Sequence, residues 1–428
     1  MAFLLSRQNV FDYLIEQGLC NQEEHAQSKV ELKAAKHFNV LVTLPEGREL
    51  FVKQERRYQK GETAAEFLQE WRIQEFVQRF PQVSQIRSWI SEAIHYDVEH
   101  SIIVFNYLND YRDLMDFYTK ENIFPTALVQ RDANCTDAPC VANASLSLCV
   151  TLSQQRSGIA SIASAIGIAL ATIHRLTLDC RDYREFLLET RQGVLIHPTL
   201  QLVRQLRRIS PEIFSVVPAD ALRFFALYQR YDSLGQAIAE LTTAFEPCCL
   251  THNDLKLNNV LLSNDWKLAS PAEASDHSIV RFIDWEHSSW GDPAFDLGTL
   301  IASYLQIWLS SLITSKAITI DESLRMATIP LEHLQPSLAA VAIAYFTHFP
   351  EVLERRPNFL RRVVQFAGLA LILQILSMIQ YRKTFGNRGI CMLQVAKTLL
   401  GRPEQSITTI FGLEASELIA PVLPLKSF

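Results

Sequence analysis

Three polar strings, set in order between apolar runs, constrain this chain more than anything else in it. They are Thr251-His252-Asn253-Asp254-Leu255-Lys256-Leu257-Asn258-Asn259, then Phe282-Ile283-Asp284-Trp285-Glu286, then Gly291-Asp292-Pro293-Ala294-Phe295-Asp296-Leu297. The apolar stretch before Asp284 predicts that this aspartate stands at a strand end. Phosphoryl transfer needs a carboxylate that orients an attacking hydroxyl and takes its proton, together with oxygen ligands that hold magnesium against nucleotide phosphates. Asp254, Asn259 and Asp284 supply that set.

Asp254 and Asn259 keep the Asp-x-x-x-x-Asn spacing of a kinase catalytic loop. At these residues the chain resembles the aminoglycoside phosphotransferase and choline kinase superfamily, the small-molecule branch of the protein-kinase-like fold. The Ile-Asp-Trp-Glu and Gly-Asp-Pro-x-x-Asp-Leu strings look like aminoglycoside phosphotransferases, whereas His-Asn-Asp in place of His-Gly-Asp is similar to choline and ethanolamine kinases. The resemblance implies an α+β, bilobal protein-kinase-like fold. Residues 1–105 would form a small antiparallel-sheet N-lobe that binds nucleotide, and residues 106–428 a large, mostly helical C-lobe with the catalytic loop and acceptor site. It implies ATP and magnesium as cofactors, a histidine (His252) packed beneath the loop, and a late aspartate (Asp296) that accepts hydrogen bonds from the loop backbone. Lys256 departs from the histidine common at this place in aminoglycoside phosphotransferases. It matches the lysine two residues after the catalytic aspartate in protein serine/threonine kinases, which implies an ammonium that reaches the migrating phosphoryl group.

A length of 428 residues exceeds a typical single domain and agrees with two lobes. The net charge is −6, and the basic clusters are short pairs such as Arg56-Arg57, Arg355-Arg356 and Arg361-Arg362, so no nucleic-acid partner is expected. The eight cysteines lack paired spacing, and reduced thiols are the expectation. Cys135, Cys140 and Cys149 match no common zinc pattern. Residues Met1 to Arg7 carry neither a basic leader nor a long apolar run, which predicts a cytoplasmic protein. The most apolar stretches, Leu300 to Leu312 and Phe366 to Ile379, are shorter than a membrane span and are interrupted by Gln306 and Gln374, so buried core helices are expected.

Val40 to Leu44 and Leu50 to Lys53 are β-rich runs joined by Pro45-Glu46-Gly47-Arg48, good hairpin chemistry that puts Lys53 at a strand end. In the resembling family the lysine at this place contacts the α- and β-phosphates and is oriented by a glutamate from the next helix. That helix is predicted from about Ala64 to Phe80 and offers Glu66, Glu70 and Glu75. Glu70 shares a face with Ile73 and Val77 and is preferred; Glu75, on the face of Trp71 and Leu68, is the runner-up. The phosphate-covering loop is expected between Val30 and Val40, yet it contains no glycine; Asn39 is its candidate for left-handed backbone. Ser101 to Leu108 reads as a buried strand running into the hinge, where adenine is expected against the backbone of Asn106, Tyr107 and Leu108. Asp110 and Asp113 suit either ribose contacts or a helix start.

Tyr118 to Arg156 reads as an irregular surface insertion, followed by a helix ending in His174, a packed structural histidine. Cys248 and Cys249 belong to the strand leading into the catalytic loop, and residues 263–278 form a surface excursion. Glu286 suits either a water-mediated metal contact or solvation, and Asp292 reads as a turn residue. Beyond Leu297 the pattern is helical, over Leu300 to Ser311, Ser337 to Phe349, Asn358 to Tyr381 and Met392 to Leu400. The resemblance places the acceptor pocket between such helices and the catalytic loop.

The leading expectation is an ATP- and magnesium-dependent kinase that phosphorylates a hydroxyl of a small molecule, with aminoglycoside-, choline- or sugar-like acceptors open. The alternative is a non-catalytic nucleotide-binding regulatory module of the same fold. A protein kinase fits poorly, because only 12 residues separate Asp284 from Asp296 and leave no room for a peptide platform. A polycationic acceptor calls for an acidic pocket. Choline calls for an aromatic cage, for which Trp285, Trp290, Tyr304 and Trp308 lie in the right region, although aromatics there are more often core.

Overall fold

The computed structural model describes residues 3–33, 36–56, 63, 65–121, 144–189, 218–267, 279–315 and 317–419. Five strands pair antiparallel in the order β1-β2-β3-β5-β4: β1 (Lys29–Lys33), β2 (Phe38–Thr43), β3 (Glu49–Gln54), β4 (Ala93–Asp97) and β5 (Ile102–Asn106). The expected hairpin joins β2 to β3, with Glu46 and Gly47 at φ 70° and 82° making the tight reversal. Side chains alternate across such a sheet. Val40, Val52 and Val104 therefore share one face, where a helix not expected from the sequence, α1 (Val10–Glu16), packs Phe11 and Leu14 against them. Phe51, Lys53 and Phe105 share the other face, towards α2 (Glu66–Arg79), with the Lys53 ammonium 5.1 Å from the Phe105 ring.

The remaining described residues are mostly helical. They comprise α3 (Leu114–Glu121), α4 (Ala144–Thr177), α5 (Arg181–Leu188), α6 (Ala219–Gln229), α7 (Asp232–Thr243), α8 (Pro293–Ser310), α9 (Ile320–Arg325), α10 (Gln335–His348), α11 (Glu351–Arg355), α12 (Phe359–Arg382), α13 (Asn387–Gly401), α14 (Pro403–Phe411) and α15 (Ala415–Ile419). One continuous apolar core joins them. The fold is thus α+β and protein-kinase-like, as expected. Two of its helices, Ala160–Thr177 within α4 and α12, are long and apolar enough to cross a membrane, but both are mostly buried inside this core. The four late helices predicted from the sequence correspond to α8, α10, α12 and α13, with Ser311, Phe349 and Asn358 falling one residue outside.

Two short ladders carry the polar strings. Strands β7 (Cys249–Thr251) and β10 (Ser289–Gly291) pair, and β6 (Tyr111–Asp113), β8 (Val260–Ser263) and β9 (Val280–Phe282) form a second sheet. Cys249 sits in β7 and Cys248 just before it, as expected. The insertion expected from Tyr118 needs correction at both ends. Tyr118 is fully buried in α3, bonded to Tyr304, and residues 144–156 already belong to α4. Residues 122–143, with Cys135 and Cys140, and residues 268–278 lie outside the described residues.

Helices α8 and α12 approach closely because Gly298 has no side chain. A Cβ there would stand 2.6 Å from Phe366 Cβ and 2.8 Å from the Val363 carbonyl. Gly298→Ala should lower stability by about 1–3 kcal/mol, the cost of overpacking a filled contact, in spite of alanine's better helix propensity. Urea unfolding of variant and wild type measures it; equal midpoints would mean that the two helices separate without cost.

Candidate active site

The catalytic loop leaves β7 and enters β8, and one buried carboxylate shapes it. Asp296 lies in the first turn of α8, where a helix N-terminus favours negative charge. Its Oδ2 accepts the His252 N–H at 2.6 Å and its Oδ1 the Asn253 N–H at 2.7 Å. His174 Nε2 reaches Oδ2 at 3.3 Å, and the other ring nitrogen pairs with the Tyr345 hydroxyl at 2.8 Å. Burial pushes the Asp296 carboxyl up, but His174, His252 and the backbone donors prevail and hold it below the usual range. His252 packs on Trp285 with rings 4.6 Å apart, and its Nε2 lies 2.8 Å from the Ile283 carbonyl, which couples the first string to the second.

Asn253, the residue that departs from His-Gly-Asp, has φ 65°. Glycine enters this left-handed region most easily, and asparagine is among the few others that tolerate it. Its side chain repays the strain with three bonds: Nδ2 donates to the His287 carbonyl and to Ser289 Oγ, and Oδ1 accepts from Thr251 Oγ1. Asp284 is also left-handed, at φ 60°, two residues past β9.

These two turns bring the expected residues together. Asp254 Oδ2 is 2.7 Å from Lys256 Nζ, and Asn259 Nδ2 donates to the Asp254 carbonyl and to Oδ2 at 2.9 and 3.1 Å. That orientation leaves Asn259 Oδ1 as the oxygen it presents. Across the cleft, Lys53 Nζ stands 2.5 Å from Asp284 Oδ1 and 3.5 Å from Glu70 Oε2. Burial opposes charge on Lys53, yet Asp284 and Glu70 together hold its pKa above the ordinary value. Burial lifts Glu70 to about 7 despite Lys53, while Lys53 outweighs burial at Asp284 and keeps that carboxyl low. Glu75 pairs with Arg72 instead, so the helical-face argument chose the glutamate that meets Lys53.

Asn259 and Asp284 can hold a divalent cation. The donors they offer are an amide oxygen and a carboxylate, hard ligands that suit magnesium and not zinc. Glu286 lies half-buried near Asp284 and 3.8 Å from Lys36, and burial and the Asp284 charge raise its pKa. Asp292 is more than a turn residue. It caps α8 through Oδ1 on the Ala294 N–H, takes the Glu246 N–H on Oδ2, and pairs with Arg356 at 3.0 Å. Asp113 starts α3 by accepting the Asp116 N–H, which favours the helix-start reading.

The glycine-free loop holds a feature that sequence reasoning missed. Asn39 is not its left-handed residue but sits within β2, opposite Lys53. The turn lies before it, and Lys36 and His37 fasten it to the start of α2: Lys36 Nζ is 2.5 Å and His37 Nε2 2.8 Å from Glu66 Oε2, with Lys36 also 3.8 Å from Glu286. Two basic residues in a loop that lacks glycine were the available signal.

Beside Asp254 opens a cavity of about 430 Å³, between the catalytic loop, α8 and α12. None of Trp285, Trp290, Tyr304 and Trp308 lines it, so they form no aromatic cage there. All four are buried in the core instead, with Tyr304 on Tyr118 and Trp308 donating to the Leu324 carbonyl.

With the geometry in view, residues 150–315 match the model of the phosphotransferase enzyme family (APH), which bears out the superfamily resemblance read from the three strings. The match spans less than half of the chain and makes it similar to the phosphotransferases of protein-kinase-like fold. No curated protein matches the chain. Solved structures similar to it include an ethanolamine kinase of Plasmodium vivax, at 12% identity and TM-score 0.49, covering 91% of this chain and 89% of the other. The choline kinase LicA of Streptococcus pneumoniae aligns at 15% identity and TM-score 0.46, over 92% and 98% of the two chains. A macrolide 2'-phosphotransferase of Brachybacterium faecium aligns at 13% identity and TM-score 0.41, over 93% and 99%.

The loop clasp has a measurable acid signature. Burial opposes the Glu66 charge, but His37 and Lys36 prevail and lower its pKa from 4.5 to about 2. A carboxylate depressed on folding stabilises the protein above its unfolded pKa and loses that contribution as pH falls through the folded one. Glu66→Gln should therefore lose about 1–3 kcal/mol at pH 7, with the gap from wild type shrinking below about pH 4.5 and falling to less than half by about pH 3. Denaturant titrations across this range test it; a gap independent of pH would mean that the clasp does not depend on the Glu66 charge.

Proposed function

We propose that this phosphotransferase moves the γ-phosphoryl group of ATP to a hydroxyl of a small molecule, with magnesium as cofactor. The observation that carries the reading is the convergence of Lys53, Asp254, Asn259 and Asp284 on one cleft beside an acceptor-sized cavity. The nucleotide-binding part is residues 1–105 and the catalytic and acceptor part residues 106–428. In the hinge, the Asn106 and Tyr107 N–H groups already serve the Glu92 and Glu49 carbonyls, and the Leu108 carbonyl takes the Tyr111 N–H. Adenine is therefore assigned to the Leu108 N–H and the carbonyls of Asn106 and Tyr107.

Lys53, oriented by Glu70, holds the α- and β-phosphates, and Asn259 Oδ1 and Asp284 hold the metal. Bound magnesium neutralises phosphate charge. Asp254 accepts the hydrogen bond of the acceptor hydroxyl and aims its oxygen at the γ-phosphorus. As the new P–O bond forms, the bond from γ-phosphorus to the bridging oxygen breaks, ADP departs, and the hydroxyl proton passes to Asp254. Lys256, 2.7 Å from Asp254, stands where charge accumulates on the transferring group. A fixed cation there stabilises the transition state more than bound ATP. His252 and Asp296 brace the loop without touching either substrate.

A non-catalytic module of the same fold is the second reading, favoured by the glycine-free loop alone. Two variants separate the readings when nucleotide binding and ADP release are measured side by side. Asp254→Ala should abolish turnover and leave magnesium-ATP affinity nearly intact. Lys256→Ala should lower kcat about a hundredfold, the order for loss of one electrostatic stabiliser, with a smaller change in ATP KM. Undiminished turnover in Asp254→Ala would remove this carboxylate from the mechanism, and tight ATP binding without turnover in wild type would favour the regulatory module.

A further inference from the structure

Gln306 and Gln374 are the polar residues that interrupt the two most apolar stretches of the sequence, and both line the cavity beside Asp254. In a helix packed into a core, a half-buried amide is costly unless something satisfies it. Gln306 comes from α8 and Gln374 from α12, the two helices that Gly298 lets approach. Ser377 lies one turn beyond Gln374 in α12, and Ala302, Ala370 and Leu371 supply apolar wall between these polar points.

Charge in this lining is confined to the catalytic loop, since burial lowers the pKa of the one other titratable residue in it, His287, and favours its neutral ring. Asp254 is the cavity's carboxylate among the described residues, and Lys256 already neutralises it at 2.7 Å. A polycation entering here would give up hydration and find no unpaired carboxylate in return. A quaternary ammonium would find the Phe295 ring and the His287 imidazole but no Trp or Tyr face, where a cage needs several. Amides and a hydroxyl, by contrast, both donate to and accept from neutral hydroxyl groups.

We infer that the acceptor is an uncharged hydroxylated molecule with an apolar body, selected by the side-chain amides of Gln306 and Gln374 rather than by carboxylates or an aromatic cage. The inference rests on the phosphotransferase reading above and specifies its substrate class. A site built to hydrogen-bond hydroxyls rejects ligands that leave its amides unpaired.

The test is ADP release by the full chain with magnesium-ATP, using phenyl and hexyl β-glucosides as neutral probes and choline, ethanolamine and streptomycin as cationic ones, with Asp254→Ala as the blank. At least one glucoside should be turned over with a kcat/KM at least about tenfold above every cationic probe. Gln374→Glu and Gln306→Glu, each confirmed as folded by circular dichroism, should move the choline-to-glucoside ratio of kcat/KM towards choline by about tenfold, the scale of one gained ion pair. A cationic probe used as well as the best glucoside overturns the inference. So does a protein that phosphorylates a cationic probe yet neither glucoside, or an unchanged ratio in both folded glutamate variants. Failure to bind magnesium-ATP, or ADP release equal to that of the Asp254→Ala blank with every probe, instead sinks the phosphotransferase reading itself.

Discussion

The catalytic loop hangs on the Asp296 carboxylate. Each of its oxygens takes one backbone N–H, from His252 and Asn253, and a buried histidine held by Tyr345 backs it from the far side. A charge removed from water is tolerated only when its hydrogen-bonding capacity is filled, and here the catalytic loop and His174 of α4 fill it, with Tyr345 of α10 holding the histidine. Breaking any one partner leaves an unsatisfied buried charge, so the loop has one conformation that the core accepts. Hydrogen bonds that fix the loop from beneath preorganise a reactive group that itself stays partly exposed.

The opposite wall of the cleft is organised by a shared cation. Lys53 reaches its place through strand alternation, and Glu70 through helical periodicity. Asp284 arrives through a left-handed turn that presents its carboxylate to the same ammonium. One lysine between two carboxylates leaves the group electrically short of a positive charge. That deficit, deep in a cleft, attracts a divalent cation, which in turn would offset the charge of a polyphosphate bound beside it. The Lys36 and His37 clasp on Glu66 adds a second charged closure at the rim, formed by side chains where a glycine-bearing turn would offer backbone.

Much of this was legible in the sequence because local rules set it. The β2–β3 hairpin, Lys53 at a strand end and the choice of Glu70 over Glu75 follow from short-range periodicity, while the brace roles of His252 and Asp296 came with the family resemblance of the three strings. What stayed hidden was tertiary. Helix α1 is too short for its pattern to announce itself and is stabilised by the sheet it covers. The buried fate of Trp285, Tyr304 and Trp308 depends on which face of α8 and its neighbours meets the core. Tyr118 looked like the start of an irregular region because nothing nearby in sequence reveals its partners Tyr304 and Ser337. Asn39 was misplaced by the same limit, since strand register and not residue preference decides where a turn falls. Gln306 and Gln374 were visible as interruptions, but only the packing of α8 on α12 turned them into a pocket wall.

The claim beneath all of this is that Asp284 and Asn259 hold a metal that joins the nucleotide to the cleft. Calorimetric titration of ATP into the protein with and without magnesium, repeated for Asp284→Asn, addresses it without needing to know the acceptor. The account predicts that magnesium tightens ATP binding in wild type, and that the variant needs a higher magnesium concentration for the same gain. ATP affinity that is indifferent to magnesium in wild type, or a variant with unaltered magnesium dependence, would contradict it.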